Sequence, residues 1–537
     1  MDERAELEAA HWDCVIIGTG VGGASLGHAL ARAGQKVLFL EKGRAGFLYP
    51  DTVRGAYPET LFPREEAASP DQASVLRRGG RFSEAIGDGG RRFVPLMGTG
   101  TGGSSALYGM AMERFFPDDF KPGLAFPALA RDSDLPAQWP LQYDELTRWY
   151  RQAEQLYGVR GGRDPLRPID APLPASPPLS ARSAELHAHF EAAGLHPYRL
   201  PMACEFVTGC ECCQGFLCPR DCKNDAARAC LRPALDQHGA VLVDECEAVR
   251  FEATATTVSS LLCRHQGREY VVKARRFVVA AGALATPLLL LNSRSACWPD
   301  GLANRTGLVG RNLMRHFVDL YLVFTRARGE NRQKEIGLSD FYARDGRKLG
   351  TLQSFGALPP ASVLAATMAQ DVADVAPWAA PLFAPLRPFV KATLPHVFGR
   401  GILLAGIMED LPYRDNRIVP GDPPRLEYSL RTQDHARLRH FRSSIADTLK
   451  PYRFLALRQA EKNAMLAHVC GTCRFGDDPQ ASVLDRNNRA HGIDNLYVVD
   501  ASFFPSSAGT NPALTIAANA LRVADVMLSS NEQGVPR

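Results

Sequence analysis

The chain has no long apolar run and almost no surplus of charge. Its longest apolar stretch, 277–291, contains Gly282, Thr286 and Pro287 and is shorter than the roughly 20 residues of a membrane-spanning helix. Lys and Arg number 62 against 58 Asp and Glu, a balance that gives no reason to expect a nucleic-acid partner. Residues 1–12 are acidic and lack the apolar core of an export signal. We therefore expect a soluble protein that is cytoplasmic by default, with export alongside a partner subunit as the alternative.

The composition also excludes wholesale disorder, collagen and a coiled coil. Apolar residues make up 45% and charged residues 22% of the 537 residues, as in an ordinary globular protein of two to four domains. Cysteine is the exception, since seven of the 13 fall between Cys204 and Cys230. An odd number of cysteines without an export signal argues against a disulfide framework and favours metal binding or redox chemistry.

Residues 13–41 predict a strand, a glycine turn, a helix and a second strand. The turn reads Gly18-Thr-Gly20-Val-Gly-Gly23 and fits the dinucleotide-binding pattern G-x-G-x-x-G. Gly18 permits the tight turn, Gly20 lets the backbone approach a pyrophosphate, and Gly23 lets the helix pack closely on the sheet. Glu41 closes the second strand, where an acid accepts hydrogen bonds from ribose hydroxyls. The motif alone fits FAD and NAD equally.

Further motifs stand near the C-terminus. Segment 468–476 begins with His468 and is followed by a predicted strand that ends at Asp500. Asn511 and Pro512 then suit the N-cap and the first position of a helix. Such a helix directs the positive end of its dipole at whatever lies before it, which would stabilise an anionic reduced flavin.

Together with a second glycine cluster, these motifs resemble the glucose–methanol–choline (GMC) family of flavin oxidoreductases. The five matching segments occur in the same order and are the glycine turn, Gly98-Thr-Gly-Thr-Gly-Gly-Ser-Ser105, 281–291 with Ser293, 307–312 with His316, and the C-terminal block. The resemblance spans nearly the whole chain and favours FAD over NAD. It implies an α/β fold, in which a Rossmann-like FAD-binding domain with a central parallel sheet is interleaved with an α+β substrate domain built on an antiparallel sheet.

The resemblance also implies domain limits and cofactor contacts. The FAD-binding domain would comprise 11–50, 85–130, 200–315 and 460–537, and the substrate or cap domain 51–84, 131–199 and 316–459. The residues implied to contact FAD are Gly18, Gly20, Gly23, Glu41, Gly102, Gly103, Ser104, Ala248, Asp500, Ala501, Asn511 and Pro512. Ser104 stands in the area where some members carry a histidine bonded covalently to the flavin, so non-covalent FAD is expected.

By motif position, His468 and Asn511 stand over the flavin, as in the His/Asn branch of the family. Oxidation of an alcohol requires loss of the hydroxyl proton and transfer of the α-hydride to flavin N5, and imidazole suits the first task. Asn511 would donate to the substrate oxygen. We therefore expect FAD-dependent oxidation of CH–OH to a carbonyl by a dehydrogenase. The alternatives are an oxygen-using oxidase, a lyase-type non-redox flavoprotein and a non-catalytic electron-relay subunit.

Three other side chains near these motifs are weaker candidates. Glu409 lies where some relatives place a carboxylate near the substrate, although a solvated loop acid fits as well. Cys470 and Cys473 form a C-x-x-C beside the proposed base, for which packing is the favoured interpretation over a redox dithiol.

The cysteine loop has the spacing Cys212-Cys213-x4-Cys218-x3-Cys222, which resembles that of iron–sulfur-containing GMC sugar dehydrogenases. These four thiolates could converge on one iron–sulfur cluster, while zinc and free or disulfide-forming thiols are the alternatives. A cluster beside the flavin would pass electrons to an acceptor protein. Without one, oxygen or a soluble quinone is the expected acceptor.

The substrate is a small-molecule alcohol whose class the sequence leaves open. Segment 376–404 is apolar and interrupted by prolines, which argues against a regular core helix. It fits a lid over a hydrophobic entrance, a patch that touches a membrane or a partner, or a buried loop. A lid favours lipophilic alcohols, whereas the cysteine loop favours sugars.

Overall fold

The structure is a computed structural model. It describes residues 10–57, 86–89, 91–93, 95, 97–168, 171–329, 334–344, 346–356, 360–362, 364–365, 368–369, 372, 377–463 and 466–532. Its helices are α1 (Val21–Arg32), α2 (Pro122–Ala125), α3 (Pro127–Ala130), α4 (Tyr143–Leu156), α5 (Ala181–Ala192), α6 (Arg232–His238), α7 (Gly282–Asn292), α8 (Ala380–Phe383), α9 (Arg387–Phe398), α10 (Thr432–Leu449) and α11 (Ala513–Glu532).

The strands belong to one parallel sheet and several antiparallel or mixed ones. They are β1 (Trp12–Ile17), β2 (Val37–Leu40), β3 (Ile86–Asp88), β4 (Arg91–Phe93), β5 (Val159–Arg160), β6 (Tyr198–Arg199), β7 (Met202–Ala203), β8 (Val241–Val243), β9 (Cys246–Ala253), β10 (Val258–His265), β11 (Arg268–Val272), β12 (Ala274–Val279), β13 (Phe317–Phe324), β14 (Ile336–Leu338), β15 (Ala343–Arg344), β16 (Arg347–Lys348), β17 (Gly350–Ser354), β18 (Ile402–Met408), β19 (Arg417–Val419), β20 (Arg425–Glu427), β21 (Arg453–Leu457) and β22 (Leu496–Val498).

A five-stranded parallel sheet in the order β22-β12-β1-β2-β8 forms the centre of the first domain. Ile17 of β1 lies opposite Leu40 of β2 and Val279 of β12. All four residues of β2 are buried, because a parallel sheet is covered on both faces and its strands become continuous apolar runs. A side chain on Gly27 of α1 would lie 2.2 Å from the Phe39 ring, so this glycine lets the helix pack closely on β2. The predicted Rossmann-like domain is confirmed.

A six-stranded antiparallel sheet in the order β21-β13-β18-β17-β14-β6 forms the second domain. One face packs on α5 and α10 in a hydrophobic core of its own. The other face carries a separate apolar cluster of Leu320, Leu322, Leu403, Ala405 and Ile407. The predicted antiparallel substrate domain is therefore present.

Two strands and one helix connect across the predicted domain limits, which themselves stay predictions. Strands β3 and β4 fall in the predicted FAD segment 85–130, yet they join a sheet with β19 and β20. Helix α4 falls in the predicted substrate segment 131–199, yet it packs in the core around the parallel sheet. There the Tyr150 hydroxyl and the Thr515 hydroxyl of α11 lie 2.8 Å apart. Most of predicted segment 51–84 lies outside the described residues.

In the apolar segment 376–404 the structure has the four-residue helix α8, the 12-residue helix α9 and the start of β18. The Trp378 side chain is 77% exposed and that of Phe389 is 69% exposed, so the alternative of a buried loop is wrong. Phe398, at the end of α9, packs against the apolar face of the antiparallel sheet. Within the described part of the chain, none of the helices has the length and apolar character needed to cross a membrane.

Candidate active site

The glycine turn between β1 and α1 leaves an open position at the start of a helix. Gly18 has φ +97°, and a Cβ there would lie 2.4 Å from the Ala280 carbonyl oxygen. A Cβ on Gly23 would lie 2.1 Å from the Gly18 carbonyl oxygen, whereas one on Gly20 would meet nothing within 4 Å. Helix α1 has no side-chain cap. Its first N–H groups therefore face the open side of Gly20, an arrangement that fits a pyrophosphate.

Glu41 joins this turn to the second glycine cluster. Its carboxylate accepts hydrogen bonds from Thr19 N at 3.0 Å and Thr19 Oγ1 at 2.6 Å. It also accepts from Gly43 N at 3.0 Å and Gly100 N at 3.2 Å. Burial raises the pKa of Glu41, and these hydrogen bonds oppose that rise. The predicted role of Glu41 as an acceptor for ribose hydroxyls would compete with these protein donors.

The second glycine cluster lies directly against the first. A Cβ on Gly103 would lie 3.2 Å from Gly20 Cα, and Gly102 has φ +84°. The Ser104 hydroxyl accepts a hydrogen bond from Gly98 N at 3.3 Å, and the residue is exposed. The two glycine clusters, which lie about 80 residues apart along the chain and contain predicted FAD contacts, thus line one recess.

The C-terminal strand contributes Asp500, whose carboxylate is occupied by protein donors. It accepts from Gly282 N at 2.9 Å, from Thr286 Oγ1 at 2.5 Å, and from Ser502. The carboxylate thus orients neighbouring N–H groups of the protein. Gly22, a residue given no role from sequence, is equally constrained, because a Cβ there would lie 2.2 Å from the Val499 carbonyl oxygen.

The other predicted cofactor contacts are spread around this core. Ala501 opens a short helical turn directly after Asp500, and Pro512 accepts from Ile516 N at the start of α11. Helix α11 begins at Ala513, one residue later than expected. Ala248 lies in β9 opposite Cys263, half-buried against the core around the parallel sheet.

His468 is held by a second imidazole. Its Nδ1 lies 2.9 Å from Nδ1 of His316, and Nε2 of His316 lies 3.1 Å from the Ser507 carbonyl oxygen. A carbonyl oxygen only accepts, so His316 Nε2 carries a proton. Burial lowers the pKa of His316 to about 4, so its Nδ1 is unprotonated and accepts from His468 Nδ1. Neutral His468 therefore presents an unprotonated Nε2, the state that a general base requires.

The surroundings of His468 keep it neutral. Burial within the protein, followed by electrostatic interactions with His316 and Lys334, lowers its pKa well below the usual 6.5. The imidazole is nevertheless accessible to solvent, so it faces a recess inside the protein. Within the described residues, Nε2 of His468 has no hydrogen-bond partner. Residue 468 also has φ +54°, a left-handed conformation that is uncommon for a non-glycine residue.

Asn511 is surrounded by polar partners instead. Its amide nitrogen donates to Glu113 Oε2 at 2.9 Å and to Gln353 Oε1 at 3.0 Å. Gln353 Nε2 returns a longer hydrogen bond of 3.4 Å to Asn511 Oδ1. Gln353 lies opposite Ala405, so the apolar face of the antiparallel sheet is the one turned toward Asn511. The Asn511 side chain makes its hydrogen bonds with these partners and does not cap α11.

Glu113 is the anionic centre of that polar group. It accepts from Thr510 Oγ1 at 3.0 Å and from the Tyr198 hydroxyl, and its Oε1 lies 3.4 Å from Arg167 Nη1. Lys334 lies near this group, where burial lowers its pKa to about 8 and Glu113 partly opposes that shift. Sequence reasoning missed Glu113, Gln353 and Lys334, and nothing in their local sequence marks them. His316 was part of a matched motif but had no assigned role.

The weaker candidates take structural roles. Glu409 is fully buried and pairs with Lys348 Nζ at 2.9 Å, so the prediction of a solvated loop acid is wrong. Lys348 also pairs with Asp119 at 2.6 Å. Cys470 and Cys473 are buried free thiols in the core around the parallel sheet, and burial raises the pKa of both well above 9.0. Packing is thus the role that their surroundings support.

The cysteine loop brings together a different set of sulfurs from the predicted four. The Sγ atoms of Cys204, Cys210 and Cys222 all lie within 4.8 Å of one another. Cys218 lies 3.6 Å from Cys222, and Cys212 lies 3.9 Å from Cys210. The fourth predicted ligand, Cys213, interacts with Cys218. Cys204 and Cys210 belong to the group of seven clustered cysteines, but not to the four selected by their spacing.

Comparisons with known proteins agree with this architecture. Sequence profiles of the GMC oxidoreductase family match residues 13–318 and 414–520. The chain is 28% identical to 6'''-hydroxyparomomycin C oxidase of Streptomyces lividus, over 96% of this chain and 91% of that protein. It is 26% identical to 2-methyl-1,2-propanediol dehydrogenase of Mycolicibacterium austroafricanum, over 96% and 94%. The solved structure of pyridoxine 4-oxidase from Mesorbium loti has a similar fold, with a TM-score of 0.62, 20% identity, and coverage of 98% of this chain and 100% of that chain.

Proposed function

Because the chain belongs to the GMC oxidoreductase family, whose named relatives here act on CH–OH groups, we propose that it oxidises an alcohol to a carbonyl compound with non-covalent FAD. The open position at Gly20, before an uncapped helix, supports binding of the pyrophosphate. The adjoining glycine cluster contributes the exposed Ser104 to the same recess. When bound, FAD supplies the hydride acceptor.

The observation that carries the proposal is the hydrogen-bond series from the Ser507 carbonyl through His316 to His468. It leaves Nε2 of His468 unprotonated and directed into a recess, ready to take the hydroxyl proton of an alcohol. The positive charge that forms on His468 would then be shared with His316 through their hydrogen bond. Asn511 would hold the substrate oxygen by exchanging the hydrogen bond from its amide nitrogen to Gln353 Oε1 for one to the substrate.

The proposal also concerns the identity of the electron acceptor and of the alcohol. The named relatives include an oxidase and a dehydrogenase, and an iron–sulfur relay in the cysteine loop stays a prediction. The apolar sheet face opposite Asn511 supports an alcohol whose carbon skeleton packs on Leu403 and Ile407. We therefore propose a small-molecule alcohol with one apolar side as the substrate class.

An anaerobic visible spectrum tests the proposal. The purified protein should show flavin absorption. Denaturation without proteolysis should release the flavin, as expected for non-covalent FAD. A panel of primary, secondary and sugar alcohols should include one that bleaches this absorption, while the His468→Gln variant binds flavin but is bleached far more slowly. Flavin that no alcohol bleaches would point to a lyase-type protein, and equal bleaching of both proteins would exclude His468 as the base.

A further inference from the structure

The cysteine loop places three sulfurs at the spacing of ligands on a single ion. Sγ of Cys210 lies 3.7 Å from that of Cys204 and 3.5 Å from that of Cys222. Zinc binds thiolate sulfur at about 2.3 Å in a tetrahedron, whose edge is then about 3.8 Å. In a three- or four-iron cluster each thiolate binds a different iron atom, and in a two-iron cluster only two thiolates share an iron, so three sulfurs are not all held at this edge length from one another. The observed spacing therefore fits one ion better than a cluster.

The surroundings of the three sulfurs are those of a closed structural site. Cys204 and Cys222 are buried, and Cys210 is half-buried. Sγ of Cys210 accepts a hydrogen bond from Cys212 N at 3.4 Å, the kind of backbone contact that stabilises a thiolate. Each sulfur lies too far from the others for a disulfide bond, whose length is about 2.05 Å.

We propose that Cys204, Cys210 and Cys222 bind one thiophilic metal ion of the zinc type. Each thiol releases its proton to solvent as the ion binds, because only the thiolate is a ligand. Cys218 lies 3.6 Å from Cys222 and can fill the fourth position by rotation of its side chain. The predicted set of four shares only Cys218 and Cys222 with this site.

The site lies beside the wall of the proposed flavin recess. Lys223, the residue after Cys222, donates from Nζ to the Ala106 carbonyl at 2.8 Å. Ala226 N donates to the Ser105 hydroxyl at 2.9 Å, which ties the same stretch to the second glycine cluster. An ion here would fix the cysteine loop against the second glycine cluster. Since zinc does not change oxidation state, it would carry no electrons, and the flavin would pass them directly to oxygen or a quinone.

Metal analysis of the full chain, purified without chelator, tests the proposal. We expect about one zinc per chain and no acid-labile sulfide. After exchange with Co²⁺ alone, we expect thiolate-to-cobalt charge-transfer absorption. Changes outside the ligand set already cost about 10–100-fold in metal affinity, so Cys204→Ser and Cys210→Ser should lose at least that much. Cys213→Ser, in the same loop but outside the three, is the matched control and should keep the metal.

Several outcomes would overturn the proposal. Iron together with acid-labile sulfide would establish a cluster instead. Wild-type protein that binds neither zinc nor Co²⁺ and whose loop thiols react freely, or are joined in a disulfide, would leave no site. Equal loss of metal in Cys213→Ser would show that the proposed ligands are the wrong ones. Because these readouts require no alcohol and no turnover, they can fail or succeed independently of the proposed oxidation.

Discussion

In the proposed active site, the surroundings of His468 and those of Asn511 differ in electrostatic character. Around His468, the hydrogen-bond partner is a neutral imidazole, and burial together with His316 and the nearby Lys334 lowers the pKa of His468 well below 6.5. Around Asn511, the contacts are Glu113, Gln353 and, one step further, Arg167. A base must stay unprotonated until it takes a proton, whereas an amide that positions a substrate needs only a fixed orientation. The site therefore combines a side that keeps an imidazole unprotonated with a side in which buried charged groups hold an amide in place.

Loss of the base should give the largest effect. His468→Ala is expected to slow anaerobic flavin reduction by the best alcohol about 10³-fold, since general-base catalysis contributes about 10²–10⁴-fold. Flavin content should be unchanged, because the FAD contacts lie elsewhere. His396→Gln, which removes an exposed imidazole on α9, is the control and should leave the rate unaltered. A similar rate in His468→Ala and in the wild type would show that His468 is not the base.

Removal of the second imidazole should have the next largest effect. His316→Ala takes away the acceptor for His468 Nδ1, so the proton is no longer confined to that nitrogen and the rate should fall about 10²-fold. His316→Gln offers an amide oxygen in place of Nδ1 and should recover part of the loss. The measurement is stopped-flow flavin reduction across pH, in which a merely structural role would lower the rate without recovery by glutamine.

On the Asn511 side, Glu113→Gln should mainly weaken substrate binding. A hydrogen bond to a charged group contributes about 1.5–3 kcal/mol, so a looser Asn511 should raise KM about tenfold, with a smaller change in kcat. Asp164→Asn is the matched control, because Asp164 pairs with Arg167 at 3.3 Å but not with Asn511. If both variants raise KM equally, the effect belongs to Arg167 and not to the amide.

The smallest effect concerns pH. The proposed base His468 is active when neutral, and its pKa lies well below 6.5, so kcat/KM should stay level as pH falls through 6.5 and decline only well below it. Lys334→Met removes a positive charge that lowers the pKa of His468. The acidic limb should therefore move to higher pH, by less than about one unit. Lys450→Met, at an exposed position, should leave the profile in place.

Much of the fold could be predicted, because its signals are local. The glycine turn and the strand that follows it are each read from a few neighbouring residues, and the structure places them within one or two positions. The partners of the catalytic pair could not be predicted in this way. His316 meets His468 across 152 residues, and Glu113 meets Asn511 across 398. Such contacts depend on tertiary packing, which no spacing in the sequence records.

Glu409 and the cysteine loop illustrate the same limit. An acid between apolar residues and a proline fits a solvent-exposed turn, yet Lys348 from a neighbouring strand neutralises Glu409 and allows its burial. In the loop, sequence spacing selected Cys212 and Cys213, while the path of the chain brings Cys204 and Cys210 to Cys222. Both sets of sulfurs lie in the same loop, and the four ligands selected from sequence stay a prediction.

The joining of β1 to β22 through β12 has a consequence for synthesis of the protein. The start of α1 rests on Val499, so the recess at Gly20 is completed by residues made almost 480 positions later. Chains grow at about 5–20 residues per second, so the ribosome would expose an unfinished sheet for tens of seconds before its last strand emerges. Contacts this distant along the chain also fold slowly. We expect the nascent chain to be a client of chaperones and to acquire its cofactor only after translation ends.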